Sequence, residues 1–318
     1  MKKLLAILTL VFVTACSVEL PKPAGKFVDV DDLQIHYTRA GSGERNVVLV
    51  HGFGSGSFTW EGIQERVPEG YTAWALDLPG FGFSEKPENL DYGLPRFAET
   101  VTSFIRQEIG RPVVLAGNSM GGATTIWAAA NYPEWIAGAV PIDAAGAKLP
   151  DEGMPPVFHI LRVPVLGPAL FNVPQRFATA MTIRQIYGHK DRVSEELIDY
   201  YYGLSRLPGA ANSWRLSLLD LVDKTEGGAV LDEMPKIKQD VLLMLGGKDP
   251  WISRDAMRQF QEKMPQAELK VYEDLGHVPM EEDPARVAPD LYGFADGIFA
   301  KARKLGDETA ALAAAKNP

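Results

Sequence analysis

Ser119 lies in the run GNSMGG at residues 117–122, where small residues flank a serine on both sides. An apolar segment at 112–116 precedes this run, and an alanine-rich segment follows it. The order of strand, tight turn and helix would raise the serine hydroxyl above a sheet edge and point the helix N-terminus towards it. This context, more than the glycine spacing alone, predicts that Ser119 is a nucleophile.

A serine needs a base to take its proton and an acid to orient that base. His277 is predicted as the base, because it follows the last predicted strand in a loop and no other histidine lies as suitably downstream. Asp249 follows the penultimate strand and is the predicted acid. Asp143 competes for that role because it also ends a strand, and Asp249 has an alternative role as a helix cap before Ser253.

Backbone N–H groups are the predicted oxyanion donors, contributed by Phe53 in the glycine loop after His51 and by Met120 after the serine. His51 itself is expected to brace its loop through hydrogen bonds. The remaining histidines show no metal-ligand spacing, and the sequence has no H-E-x-x-H motif. We therefore predict neither a metal nor another cofactor.

The elements that must position these residues alternate between strands and helices, which favours a mostly parallel sheet covered on both faces. The interval 147–238 breaks this rhythm and is predicted to be a mainly helical cap over the strand C-termini, where open α/β sheets bind ligands. The core is assigned to 26–146 and 239–305. An alanine-rich tail at 306–318 has no assignment.

Five motifs together resemble the α/β-hydrolase superfamily: His51-Gly-Phe-Gly, Asp77-Leu-Pro-Gly-Phe-Gly, Gly117-Asn-Ser-Met-Gly-Gly, Gly247-Lys-Asp and Gly276-His. The resemblance covers nearly all of residues 47–284 apart from the predicted cap. More narrowly, the serine motif together with Ile142-Asp-Ala-Ala-Gly and Gly276-His-Val-Pro-Met-Glu resembles bacterial lipases and esterases related to monoacylglycerol lipases. This resemblance implies the α/β-hydrolase fold and places Ser119, Asp249 and His277 at the triad positions. It also implies hydrolysis of carboxylic esters through an acyl-enzyme.

Two other functions stay open. The meta-cleavage C–C hydrolases share the serine motif, but resemblance to them calls for a tryptophan after the histidine, where this chain has Val278. A non-catalytic hydrolase-fold binding protein is the second alternative. Such proteins usually lose a triad member or the oxyanion glycines, and this chain keeps both. Dehalogenases and epoxide hydrolases would carry aspartate in place of Ser119.

The N-terminus predicts export. Two lysines precede an apolar stretch at 4–13 that is too short to span a bilayer, and Cys16, the only cysteine in the chain, follows it. Residues 1–15 are the predicted signal peptide and 16–25 a tether. The segment resembles a lipobox, which implies lipidation of Cys16 and a lipid-anchored protein of the bacterial envelope. By the sorting rule of two-membrane bacteria, Ser17 implies the outer membrane.

An ordinary secretory signal, which would give a soluble periplasmic or secreted protein, is the alternative. The formal net charge of −9 disfavours nucleic acid as a partner. The expected partners are a small-molecule or lipid ester substrate and, through the anchor, a membrane.

Overall fold

The computed structural model describes residues 19–148, 163 and 176–316. The predicted signal peptide, Cys16 and most of the early half of the predicted cap lie outside the described residues. Within the described ranges, no helix is both long enough and apolar enough to cross a membrane.

Eight strands form one sheet, in the spatial order β1-β2-β4-β3-β5-β6-β7-β8. The pairs β1–β2 and β2–β4 are antiparallel and all other pairs are parallel. Asp31 and Asp32 turn the first hairpin with positive φ angles of 47° and 63°. The strands are β1 Lys26–Val30, β2 Leu33–Gly41, β3 Arg45–Val50, β4 Tyr71–Leu76, β5 Val113–Asn118, β6 Ile136–Ile142, β7 Asp240–Gly246 and β8 Glu268–Tyr272.

Alternate residues of the central strands enter two separate apolar clusters. In β3, Val48 and Val50 join one cluster, whereas Val47 and Leu49 join the other. Because successive strand side chains point to opposite faces, the two clusters are the two faces of the sheet. The sheet is therefore buried on both sides, as its continuous apolar runs predict.

Ten helices lie in the described residues: α1 Glu61–Gln64, α2 Leu94–Phe104, α3 Met120–Asn131, α4 Arg176–Ile186, α5 Glu195–Ser205, α6 Ala210–Glu226, α7 Ala229–Glu233, α8 Arg254–Lys263, α9 Pro279–Glu282 and α10 Pro284–Lys316. A π-helical turn at Ile105–Ile109 extends α2, and short 3-10 turns occupy Ser57–Trp60, Lys190–Arg192 and Met234–Lys236. Helices α4 to α7 belong to the interval predicted as the cap. Helix α10 continues through most of the segment that the sequence leaves unassigned.

The parallel strands place the candidate site. Strands β3, β5, β6, β7 and β8 run in the same direction, so their C-terminal ends meet at one edge of the sheet. Pro141 is tolerated inside β6 because the pairing of β6 with β7 skips from Ala139 to Ile142. The fold class predicted from the sequence is confirmed.

Candidate active site

Ser119 occupies a strained turn between β5 and α3. Its φ of 54° and ψ of −113° lie outside the regions that non-glycine residues favour. The chain is so tight here that a Cβ added to Gly121 would lie 2.3 Å from the Val50 carbonyl oxygen. A Cβ on Gly117 would lie 2.1 Å from the Gly121 oxygen. The small residues around the serine are therefore a steric requirement, and Ser119 is left partly exposed between buried neighbours.

His277 and Asp249 form a direct contact, with 2.6 Å between His277 Nδ1 and Asp249 Oδ2. Both side chains are almost fully buried. Asp249 Oδ1 also accepts the Trp251 N–H at 2.7 Å. Helix α8 is capped by Ser253, whose hydroxyl accepts the Ala256 N–H, so the alternative capping role for Asp249 is wrong.

Hydrogen bonds to Asp249 decide its charge. Burial alone would raise the pKa of this carboxyl, but the hydrogen bond from His277 and the adjacent imidazole outweigh burial and lower it. An ionised Asp249 accepts the proton of Nδ1, and a neutral imidazole then carries its lone pair on Nε2. His277 is thus arranged as a base.

The histidine loop is tied to the serine turn through backbone contacts. Asn118, next to Ser119, donates from Nδ2 to the His277 carbonyl oxygen at 2.8 Å. On the other side, the His277 N–H donates to the Ile186 carbonyl at the end of α4 over 2.7 Å. Neither contact could be predicted from the sequence, because both depend on which loops meet at the sheet edge.

The two predicted oxyanion donors flank the serine. Met120 is the first residue of α3, so its N–H has no acceptor within the helix. The glycine loop that carries Phe53 lies against the serine, since a Cβ on Gly52 would be 3.3 Å from Ser119 Cβ. No residue of the described ranges accepts a hydrogen bond from either N–H.

His51 braces the glycine loop. Its Nδ1 lies 2.7 Å from the Gly52 carbonyl, and its Nε2 accepts the Leu78 N–H at 3.0 Å. These partners require a neutral ring, consistent with burial lowering the pKa of His51. The expectation that His51 is a structural residue agrees with this geometry.

Asp143 adds a third polar side chain that the sequence did not place beside the other two. One ligand atom from each of Asp143, Asp249 and His277 lies within 4.8 Å of the others. Two ligands of a tetrahedral zinc, each about 2.1 Å from the ion, would lie roughly 3.4 Å apart. The 2.6 Å between His277 and Asp249 is instead a hydrogen-bond distance.

A sharp strand–serine–helix turn on a mostly parallel sheet, with a histidine–aspartate pair at nearby strand ends, defines the class of the α/β hydrolases. The model of the alpha/beta hydrolase family matches residues 47–291, and the chain belongs to this family.

Its relatives include several lipid-acting proteins. Lipase 3 of Moraxella sp. (strain TA144) is 27% identical over 256 residues, which cover 79% of this chain and 78% of the lipase. The crystal structure of a membrane phospholipase A, described as a bacterial virulence factor, matches with a TM-score of 0.70 and 26% identity. That match covers 94% of this chain and 99% of the phospholipase. A meta-cleavage product hydrolase from Pseudomonas fluorescens IP01 has a TM-score of 0.71 at 21% identity, covering 87% and 98% of the two chains, and shares the fold.

Proposed function

We propose that this protein is a serine hydrolase that cleaves carboxylic esters of lipids through an acyl-enzyme. The observation that carries the proposal is the buried 2.6 Å contact between His277 and Asp249, at the same sheet edge as the strained serine turn. Similarity to a lipase and to a phospholipase A supports the ester-hydrolase class.

In each half of the proposed reaction, His277 acts first as a base and then as an acid. His277 Nε2 takes the proton of Ser119 Oγ while Oγ attacks the ester carbonyl carbon. The Phe53 and Met120 N–H groups hold the resulting oxyanion, a contribution of about 3 kcal/mol for each donor in comparable sites. Collapse expels the alcohol, which receives the proton from His277, and water then cleaves the acyl-enzyme by the same route.

A surface of the predicted cap suits a lipid substrate. Phe177 and Met181 lie four residues apart on α4, so they share one helix face. Their exposed fractions are 74% and 58%, which is unusually high for large apolar residues. Contact of this face with a lipid aggregate would bring ester substrate to the cap side of the sheet.

Replacing the serine tests the proposal directly. Ser119→Ala should abolish hydrolysis of p-nitrophenyl butyrate and labelling by a fluorophosphonate probe, because the alanine variant lacks the attacking oxygen. Ser205→Ala removes a hydroxyl that bonds only the Tyr202 carbonyl on α5, and serves as the matched control with unchanged activity. Turnover or labelling that survives in the Ser119→Ala variant would refute the assignment. A wild-type protein that the probe does not label would favour the binding-protein alternative.

The substrate class needs a series of substrates. Purified enzyme would be assayed with p-nitrophenyl esters of increasing chain length, monoacylglycerols, a diacyl phospholipid and a meta-cleavage dienone. We expect a higher kcat/KM for the lipid esters than for short soluble esters, and no turnover of the dienone. Preference for the dienone would instead favour C–C bond hydrolysis.

The membrane anchor is a separate proposal that rests on the N-terminal sequence alone. We propose that residues 1–15 are removed and that Cys16 carries the lipid, which would hold the enzyme in the cell envelope at the outer membrane. Cells expressing the full chain should incorporate radiolabelled palmitate into it, and Cys16→Ala should lose the label and leave the membrane fraction. A Cys16→Ala variant that keeps both would contradict the anchor and favour another retention mechanism.

A further inference from the structure

Asp143 is a buried carboxyl to which the proposed reaction gives no step. It follows β6 with a positive φ of 43°, and none of its surface is exposed. Its Oδ1 accepts the Gly246 N–H at 2.8 Å. Its Oδ2 is buried and has no hydrogen-bond partner among the described residues. A polar oxygen buried in this way is costly unless it carries a proton or finds a donor.

The available donors show which carboxyl of the pair is ionised. Among the described residues, Asp249 accepts from two donors, the Trp251 N–H and His277 Nδ1, whereas Asp143 accepts from the Gly246 N–H alone. Two adjacent buried carboxyls share one negative charge, because ionising both in a low dielectric is strongly unfavourable. The charge therefore belongs on Asp249 and the proton on Asp143.

Neighbouring charges reinforce this distribution. The titratable groups that surround Asp143 in the described residues include Asp249, Glu282, Tyr272 and His277. Burial, followed by the charge of Asp249, raises the pKa of Asp143 well above its usual value, and Glu282 acts in the same direction.

We propose that Asp143 is a positioning residue, which stays protonated and donates a hydrogen bond from Oδ2 to Asp249, holding that carboxylate against His277. The inference rests on the proposed function only in assigning His277 as the base. It gives the unpartnered oxygen an acceptor on Asp249, one of whose carboxylate oxygens lies within 4.8 Å of a carboxylate oxygen of Asp143. It also adds a fourth residue to the serine, histidine and aspartate.

The asparagine variant distinguishes this role from that of an ionised acid. An asparagine at 143 reproduces a protonated carboxyl, because its oxygen accepts from Gly246 and its amide donates towards Asp249. Asp143→Ala offers neither group. If Asp143 were ionised, Asp143→Asn would remove a negative charge that stabilises the imidazolium, and the acid limb of the pH profile would move to lower pH.

The experiment compares pH profiles of kcat/KM, from pH 5 to 9, for the wild type, Asp143→Asn and Asp143→Ala with p-nitrophenyl butyrate. We expect Asp143→Asn to keep the acid limb of the profile and kcat within about threefold of the wild type. We expect Asp143→Ala to lose about tenfold or more in kcat with little change in KM, as for a lost hydrogen bond to a charged group. An acid limb that falls by about one pH unit in Asp143→Asn would mean an ionised Asp143 and would overturn the proposal. Full kcat in Asp143→Ala would overturn it as well.

A second readout does not require turnover. The proton between His277 Nδ1 and Asp249 should give a low-field ¹H NMR resonance in the wild type and in Asp143→Asn. This resonance should be lost or shifted in folded Asp143→Ala, and a resonance unchanged in the alanine variant would reject the positioning role. If the wild type is inactive towards esters but the resonance still depends on residue 143 in this way, the proposed ester hydrolysis is wrong and the positioning role of Asp143 is supported.

Asp77→Asn is the matched control for introducing asparagine at a buried carboxyl. Asp77 is 1% exposed and accepts hydrogen bonds from His36, Ser57 and Phe83, so it must be ionised. We expect Asp77→Asn to lower the melting temperature clearly, and Asp143→Asn to change it little. An equal loss for both variants would indicate that Asp143 is also ionised.

Discussion

Two buried carboxyls, Asp77 and Asp143, show that the surrounding donors set the charge of a buried acid. Burial would raise the pKa of each, yet the pKa of Asp77 is lowered, chiefly by its hydrogen bond with His36. His36 Nε2 accepts the Gly25 N–H, so the proton of the ring is on Nδ1, which donates a hydrogen bond to Asp77 Oδ2. Three donors make Asp77 an anion that organises its loop, whereas a single donor leaves Asp143 protonated.

Residue types and their order along the chain predicted the serine, aspartate and histidine of the candidate site. They did not predict that Asp143 lies beside these residues. Ser119, Asp249 and His277 each follow a predicted strand, which the sequence reveals. Asp143 follows a strand too, and it was considered only as a rival acid. Its place beside Asp249 depends on the pairing of β6 with β7. The sequence of one strand does not show which strand lies next to it in the sheet.

At the scale of elements, one carboxylate joins the histidine loop to the segment after α4. Glu282, at the end of α9, accepts the N–H groups of Gly276, Gly188 and His189 over 2.8, 3.0 and 2.7 Å. Gly276 directly precedes His277, and the other two residues belong to the predicted cap. The position of the base therefore depends on an acid five residues further along the chain.

Glu282→Gln should loosen this junction. A glutamine keeps one acceptor oxygen but presents an amide N–H₂ to backbone donors, so it loses charge-assisted hydrogen bonds worth about 1.5–3 kcal/mol each. We expect a lower free energy of unfolding in urea and a several-fold lower kcat, since the His277 loop is held less firmly. Glu262→Gln on the exposed surface of α8 is the control and should change neither quantity. Wild-type stability and kcat in Glu282→Gln would show that the three hydrogen bonds do not hold the loop.

Element prediction succeeded where the sequence pattern was strong. The strand before Ser119 was predicted at 112–116 from its apolar run, and the structure places it at Val113–Asn118. Helix α4 lies in the interval predicted to be mainly helical, but its sequence, RFATAMTIRQI, mixes polar and apolar residues without a clear helical stripe, so its bounds could not be predicted. The alanine-rich end of α10 is helical because alanine favours helix without needing a packed face.

At the scale of the whole molecule, a buried polar contact links the cap helices to the core. The Tyr201 hydroxyl, on α5, donates to Glu281 Oε2 at 2.8 Å, and Glu281 Oε1 is buried without a partner in the described ranges. Burial raises the pKa of Glu281 to about 7, and the hydrogen bonds from Tyr201 and Tyr187 offset only part of this rise. The folded protein therefore keeps a proton here that the unfolded chain releases at lower pH.

This difference in proton binding makes cap–core stability depend on pH. The pKa of Glu281 is about 7 in the folded state and 4.5 without the fold, so between these values the folded state binds more protons. Stability must then fall as pH rises through this window and remain lower above it.

The variant Glu281→Gln tests this pH dependence. Its side chain is neutral at every pH, so the variant does not lose stability through ionisation at this position. We expect the free energy of unfolding of Glu281→Gln, relative to the wild type, to increase from pH 5 to pH 8 by up to about 3 kcal/mol. Urea unfolding at both pH values measures this change, with Glu262→Gln as the control. A difference between Glu281→Gln and the wild type that stays constant across the window would mean that Glu281 is already ionised at pH 5, and that the contact with Tyr201 is an ordinary anionic hydrogen bond.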